Sequence, residues 1–471
     1  MRSVSNPDPH VDPDTLANSK PVVARYNTGV NTDWMKEILR NDRFSQNYDL
    51  SFSGGTKDFH YGASAGFLDK KGLIQLSEYK RYSFRLNTDY QVSKYITLGE
   101  NLGITSSHQT GSWYITNIMS STINSDPTFP VLKPSGSVDP ADPDYNFNKY
   151  APMGNGPNPV ATIQLENYPL SYFTMVGNLF AEATILKEIK LRSSWGFNMA
   201  MNDLTHFTPK YYISSTINNT VSQLSKTTTL SNGWVWENTL NWNKKMKNHL
   251  LTALLGLTSE YTKITAQSAS KQGIPSNDLE MQTFDAATTE PIITGGINTF
   301  AMMSYFGRFN YSFRDRYLLT ATVRRDGSSK FGPGYKWGIF PSFSLGWKIS
   351  EEEFFKNFAG DFISNLKLRA GWGQIGNSSL PVYNAYASQL VSTSSSDDFR
   401  YNFGDNIYHG YWYSRVGRPD ITWETTEQTN IGVDISILKN ELSISADYYI
   451  KNTRNMLLQI PSRYVLLSTC Y

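Results

Sequence analysis

Hydrophobic and polar positions alternate along most of this chain with a period of two. From Tyr305 to Phe313 the odd positions read Tyr305, Gly307, Phe309, Tyr311 and Phe313. Arg308, Asn310, Ser312 and Arg314 take the even positions, with Phe306 the one apolar exception. After a tight turn at Asp315-Arg316, Tyr317, Leu319, Ala321 and Val323 alternate with Thr320, Thr322 and Arg324. Successive side chains of a strand point to opposite faces, so the pattern predicts a hairpin with one aromatic-rich face and one charged face.

The same ribbon recurs. Tyr82, Phe84, Leu86, Tyr90 and Val92 lead through Ser93-Lys94 to Ile96, Leu98, Leu102 and Ile104. Phe173, Met175, Leu179 and Ile185 precede Lys187-Glu188, followed by Ile189, Leu191, Trp195 and Phe197. Trp234, Trp236, Leu240 and Trp242 pass a Lys-rich turn to Leu251, Ala253, Leu255 and Leu257. Ile431, Val433, Ile435 and Ile437 cross Lys439-Asn440 to Leu442, Ile444, Ala446, Tyr448 and Ile450. Phe343, Leu345 and Trp347 join Leu366, Leu368, Ala370 and Trp372 through residues 351–358, which read as a short amphipathic helix. With an N-terminal hairpin around Gly54-Gly55, the chain holds roughly 14 strands. Between hairpins lie longer segments rich in Gly, Pro, Ser and Asn, near residues 106–170, 199–230, 262–299 and 375–429.

Short turns alternating with long loops, on two-faced strands, predict an all-β antiparallel transmembrane β-barrel with short periplasmic turns and long extracellular loops. In hydrocarbon an unpaired backbone amide costs several kcal/mol, so only helices and closed sheets span a bilayer. No run approaches the roughly 18 apolar residues of a spanning helix. Composition agrees: apolar residues are 39% of the 471, yet aromatics reach 14%, with 29 Tyr and 25 Phe. That suits a wall of which only half faces lipid. A net charge of +2 gives no field for a polyanion, so nucleic acid is excluded as a partner. The single Cys470 excludes a disulfide framework and a Cys-based zinc site.

Several ordered motifs then resemble one family. Asn31-Thr32-Asp33-Trp34, Ser53-Gly54-Gly55 and Tyr79-Lys80-Arg81-Tyr82 are similar to the early barrel of SusC/RagA-type TonB-dependent transporters. So are Arg325-Asp326-Gly327-Ser328, Gly346-Trp347, Gly373-Gln374-Ile375-Gly376-Asn377 and Trp423-Glu424-Thr425-Thr426, in chain order. The resemblance implies an outer-membrane barrel of about 22 strands, of the plugged transporter size. It also implies a SusD-like surface lipoprotein as partner, energy from a TonB-ExbB-ExbD complex, and import of glycans or peptides too large for porins. On this reading residues 1–45 are a loop segment before the first strands, 46–461 a partial barrel, and 462–471 an irregular tail. The family's signal segment and plug domain are not visible, so the chain reads as an internal barrel portion. Two rival readings are a fragment unable to transport alone and, from another class, a soluble β-rich carbohydrate-binding protein.

Candidate site residues follow from both lines. Trp113 and Tyr114, and Tyr411, Trp412 and Tyr413, are loop aromatics whose flat faces suit sugar rings; an aromatic girdle, loop packing or lid contact is the plainer role. Arg85, Arg192, Arg308, Arg324 and Arg369 fall on the polar face and are expected to line the lumen, where pairing with carboxylates is the plainer role. Asp139, Asp142 and Asp144 have the spacing of calcium ligands, as do Asp8, Asp12 and Asp14, but interleaved prolines and the missing loop glycine favour a solvated loop. The six histidines are scattered, and no nucleophile–base constellation appears, so neither a metal, a cofactor nor catalysis is predicted.

Overall fold

A computed structural model describes residues 29–42, 44–111, 115–134, 138–142, 144–153, 157–165, 168–359, 362–380, 384–392 and 400–458. In chain order the strands are β1 (Ser45–Gly55), β2 (Phe59–Lys71), β3 (Glu78–Ser93), β4 (Ile96–Thr110), β5 (Leu170–Leu186), β6 (Ile189–Thr208), β7 (Tyr211–Tyr212) and β8 (Asn218–Asn219). They continue as β9 (Gln223–Met246), β10 (His249–Gln272), β11 (Ile292–Phe313), β12 (Tyr317–Ser328), β13 (Trp337–Lys348) and β14 (Ile363–Asn377). Last come β15 (Gln389–Ser392), β16 (Arg400–Phe403), β17 (Asn406–His409), β18 (Tyr411–Arg415), β19 (Glu424–Ile437) and β20 (Leu442–Arg454).

One 14-stranded sheet runs β1-β2-β3-β4-β5-β6-β9-β10-β11-β12-β13-β14-β19-β20, each strand antiparallel to its neighbours. Neighbours in space are neighbours in sequence, apart from the small hairpins β7-β8 and β15 to β18, which stand outside the wall. Among the described residues β1 and β20 each pair on one side, so the wall is a sheet with two free edges. No helix is long and apolar enough to cross a membrane.

Turn chemistry sets one rim. Arg314 and Asp315 take φ of 53° and 56°, and the Arg316 amide donates to the Phe313 carbonyl at 2.9 Å. Lys439 and Asn440 repeat this at 56° and 73°. Two successive positive φ values give the tight hairpin turn whose twist matches the strands it joins. Aromatics mark the same rim: Phe313 stacks on Tyr317 at 6.2 Å, and Tyr317 on Trp347 at 6.3 Å. Only the β13–β14 link is long here, and it holds the expected short helix, Glu353–Ala359.

Apolar side chains of one parity are widely exposed along the wall strands. Leu255 is 61% exposed and Trp236 46%, and Leu240, Val323, Phe343 and Leu345 are exposed with them. Among the described residues no second large sheet packs against them, as a soluble β-sandwich requires. Buried apolar clusters lie instead at the long-loop rim. Ile38, Ile74, Ile118 and Ile163 form one, drawing together the helices Trp34–Ile38, Ile115–Asn124 and Pro159–Leu165. Tyr150, Ala161 and Ile213 form a second, and Leu224, Ile274 and Ala287 a third. Phe331, Phe340 and Trp423 form a fourth.

Two expectations need correction. The stretch before β1 is not all loop, since Trp34–Ile38 is a helix whose first turn is capped by the Asp33 carboxylate accepting from the Lys36 amide at 3.1 Å. The segment 199–230 is largely strand and 262–299 is half strand, because β6, β9, β10 and β11 run far into them. Thr227, Thr228 and Thr229, and Ser268, Ala269 and Ser270, keep the ladder but carry no apolar alternation. Hydrophobicity falls silent there while backbone pairing continues.

Candidate functional site

The polar face of the wall and the loop crown above it are the two surfaces open to chemistry. On the polar face, the register aligns Glu182, Arg192, Thr239, Gly256, Phe306, Arg324 and Phe340 in one cross-strand row. Arginine and phenylalanine thus share a face expected to be wholly polar. The Phe306 ring lies over Gly256, where any Cβ would collide with it. The Arg324 guanidinium sits 5.5 Å from its centroid, and Arg192 sits 3.9 Å from that of Phe180. A cation over an aromatic face is favourable, so the Phe306 exception is a stacked ring on a glycine floor rather than a break in the pattern. The sequence signal was available: an out-of-phase Phe facing a glycine on the next strand, as Phe180 also does with Gly99.

The five arginines all share this face and divide into two sorts. Arg324 donates from Nε to both Asp326 carboxylate oxygens at 2.7 and 2.8 Å, and from a terminal nitrogen to Ser304 at 3.0 Å. Arg369 donates to both oxygens of Asp434 at 2.8 and 2.9 Å, and pairs with Asp447 at 3.0 Å. Such forked, charge-assisted bonds fix a guanidinium in place. Arg308 donates to Thr322 at 3.3 Å. Arg85 lies in register between Ser64 and Gly103. Among the described residues Arg85, Arg192 and Arg308 have no carboxylate partner, so no carboxylate neutralises these three.

The crown is joined by Asn277. Its side-chain oxygen accepts from the Lys210 amide at 2.9 Å, and its nitrogen donates to the Lys210 carbonyl at 2.8 Å and to Asp144 at 2.6 Å. Three separate connections, 111–169, 209–222 and 273–291, meet at this one carboxamide. Asn148 accepts from the Tyr212 amide at 2.5 Å and Lys133 donates to the Tyr212 carbonyl at 3.3 Å, closing the same junction. Burial pushes the Asp144 carboxyl up. The Asp144 amide and the Asn148 carboxamide, both donating to Asp142, hold that carboxyl below its usual range. Asp139 accepts from the Ala141 amide. The calcium-like spacing is therefore turn geometry here, and the described residues contain no cluster of three metal-ligating side chains. Asp8, Asp12 and Asp14 lie outside the described residues. Sequence reasoning missed Asn277, because nothing local marks a residue whose partners are far along the chain.

The loop aromatics are only partly placed. Trp113 and Tyr114 lie outside the described residues, as does the side chain of Trp412. Tyr411 and Tyr413 take alternate positions of β18, exposed at 71% and 59%. β18 pairs with β15 in a small sheet separate from the wall, so these tyrosines and the five arginines are not gathered into one pocket.

Residues 135–468 match the family model of the TonB-dependent receptor-like β-barrel. The chain is similar to TonB-dependent receptor P39 of Formosa agariphila, with 30% identity over 424 residues covering 88% of this chain and 37% of that protein. It is similar to TonB-dependent receptor SusC of Bacteroides thetaiotaomicron, with 27% identity covering 91% of this chain and 43% of that protein. Its fold matches the solved RagAB peptide transporter with a TM-score of 0.73 at 21% identity, over 92% of this chain and 47% of that one. The chain spans less than half the length of each of these relatives.

Proposed function

The chain belongs to the TonB-dependent receptor-like β-barrel family, a SusC/RagA-like stretch of outer-membrane barrel wall, and from that premise we propose that it serves energy-dependent import of large nutrients. Oligosaccharides or peptides are the cargo, a SusD-like surface lipoprotein covers the crown, and a TonB-ExbB-ExbD complex drives release into the periplasm. Residues 46–461 supply wall and crown. One observation supports the reading: a single sheet of 14 strands exposes apolar side chains of one parity and carries all five arginines on the opposite face. Arg85, Arg192 and Arg308 supply uncompensated positive charge along the transit face, and Tyr411 and Tyr413 offer flat apolar surfaces to cargo at the crown.

Deleting the gene and measuring uptake of labelled oligosaccharides and labelled oligopeptides, with and without a protonophore, tests this. Loss of protonophore-sensitive uptake of either class supports import and identifies the cargo. Unchanged uptake of both overturns it. The free edges of β1 and β20 favour a second reading, in which the 471 residues transport only when further strands pair with those edges. Reconstituted alone in liposomes, the chain then admits no cargo.

A further inference from the structure

Strand β11 is longer than its neighbour on one side. β10 pairs with it along its whole length, from His249↔Phe313 to Ser270↔Ile292. β12 pairs with it only from Phe313 back to Met302. The ladder ends just beyond, where Ala301 exchanges bonds with Ser329, its amide to the Ser329 hydroxyl and its carbonyl from the Ser329 amide, both at 2.9 Å. Ala301 therefore turns its backbone groups toward the β12 side. Along an unbulged strand this orientation repeats every second residue, and the β10–β11 register has no shift. Ile293, Gly295, Ile297 and Thr299 thus present their N–H and C=O groups to the open side. Among the described residues none of these groups has a partner.

This edge lacks the usual protections. Natural edge strands are blunted with lysine, proline, bulges or a covering loop. Residues 292–301 contain no charge and no proline, and every side chain from Ile292 to Thr299 is exposed, Ile292 by 67%, Ile293 by 73% and Ile297 by 62%. The free β20 edge, in contrast, carries Asp447, Lys451 and Arg454. The position matters as well. A membrane strand needs about 9–11 residues, and β11 has 22, so the unpaired end stands above the lipid band, in the aqueous crown. Here the wall has a notch, open where the β12–β13 connection stops short.

We propose that this notch is a β-augmentation site, filled by one extended, uncharged strand of a partner polypeptide at the cell surface. Alternating donors and acceptors about 6.8 Å apart, two residues of rise, match another extended backbone. A glycan offers no such array. Gly295 and Gly296 leave room for apolar side chains of the incoming strand, and Ile293 and Ile297 flank them. The inference stands on strand pairing and is independent of which nutrient is imported.

A fluorescent decapeptide copying residues 292–301, with lysines added outside the copied segment for solubility, is a suitable probe. Its anisotropy is followed against the full chain in detergent micelles. Ile297→Pro removes one outward N–H while leaving the β10 ladder whole, since its N–H faces away from β10. We expect saturable binding to the wild-type chain, weakened roughly tenfold or more by Ile297→Pro, as loss of a backbone bond and the approach of a ring to the edge require. A probe N-methylated at alternate amides should bind in one methylation phase and fail in the other. Circular dichroism and heat-modifiable migration should be unchanged by the substitution. No binding by the wild-type chain overturns the proposal, as does equal binding by the proline variant. Chain dimerisation that Ile297→Pro abolishes, without probe binding, replaces the partner strand with a second copy and also overturns it.

Discussion

The wall and the crown use the same residue types in opposite ways. Leu255 and Trp236 in the wall are about half exposed, whereas Ile118 and Phe331 in the crown are 1% and 0% exposed. In water the first arrangement is untenable, since a monomer rarely exposes so continuous an apolar surface. Hydrocarbon makes it favourable, each Å² withdrawn from water contributing about 25 cal/mol. The wall therefore has no core of its own: lipid is its core, and side-chain parity is the only packing rule it must obey. The crown is in water and must build ordinary clusters from segments far apart in sequence. One chain thus contains two folding problems, with different solvents and different weak points.

The largest test of that division is Phe331→Ala. Phe331 packs against Trp423 at 5.3 Å, and Trp423 against Phe340 at 5.3 Å, while the Trp423 indole donates to the Lys336 carbonyl at 2.9 Å. Emptying a fully buried phenylalanine site costs about 3–5 kcal/mol. The loss should appear as rapid proteolysis within residues 329–336 and 378–423, with heat-modifiable migration of the wall retained. If migration also fails, wall and crown form one cooperative unit and the comparison breaks. Leu255→Arg is the reciprocal test. A cation on the lipid face near mid-membrane costs about 2–4 kcal/mol, so yield of inserted protein in liposomes should fall while crown proteolysis of the inserted fraction is unchanged.

These two regions also differ in how well they can be read from sequence. Tyr305, Phe309, Tyr317 and Val323 reveal wall strands because alternation is a local property and lipid enforces it on every strand. Roughly 14 strands could be counted on that signal alone, and the wall has 14. Strand ends were lost where Thr and Ser replace apolar residues, since the ladder there is held by backbone bonds that leave no mark on hydrophobicity. The five arginines were placed on the polar face by parity, but their partners were not, as Arg369 meets Asp434 and Asp447 only through the fold. In the crown little was legible. Contacts such as Asn277 with Asp144 join residues 133 positions apart, and no period encodes them.

Asn277→Ala sharpens the comparison at smaller cost. It leaves the Lys210 amide and carbonyl and the Asp144 carboxylate without their shared partner. A buried or half-buried group left unpaired costs about 1–3 kcal/mol. Hydrogen exchange should quicken together in residues 144–148, 210–212 and 277–282, while amides of the ladder Leu251 to Leu257 stay protected. Exchange that quickens only around residue 277 would mean that the three connections do not share one junction.

The smallest effect is an acid response confined to the short-turn rim. Glu352 accepts from Arg316 at 3.0 Å and from the Trp347 indole at 3.2 Å, joining the β11–β12 turn to the β13–β14 link. Tyr317, Trp347 and Arg316 together hold its carboxyl below the usual range. A folded-state value lowered this way means that the folded protein binds the proton less readily than the unfolded chain. Its contribution is complete above the ordinary carboxyl value of about 4.3 and is lost as pH falls through the lower folded value. Glu352→Gln keeps an acceptor for the indole but removes the charge, so the thermal midpoint of heat-modifiable migration should fall less steeply with acid than in the wild type. In the crown, Asp142 is lowered while neighbouring Asp144 is raised, so acid acts on the two in opposite directions. Acidification should therefore loosen the rim around Glu352 before the Asn277 junction, as read by proteolysis at each. The reverse order would show that the crown, and not the wall's turn rim, carries the chain's acid sensitivity.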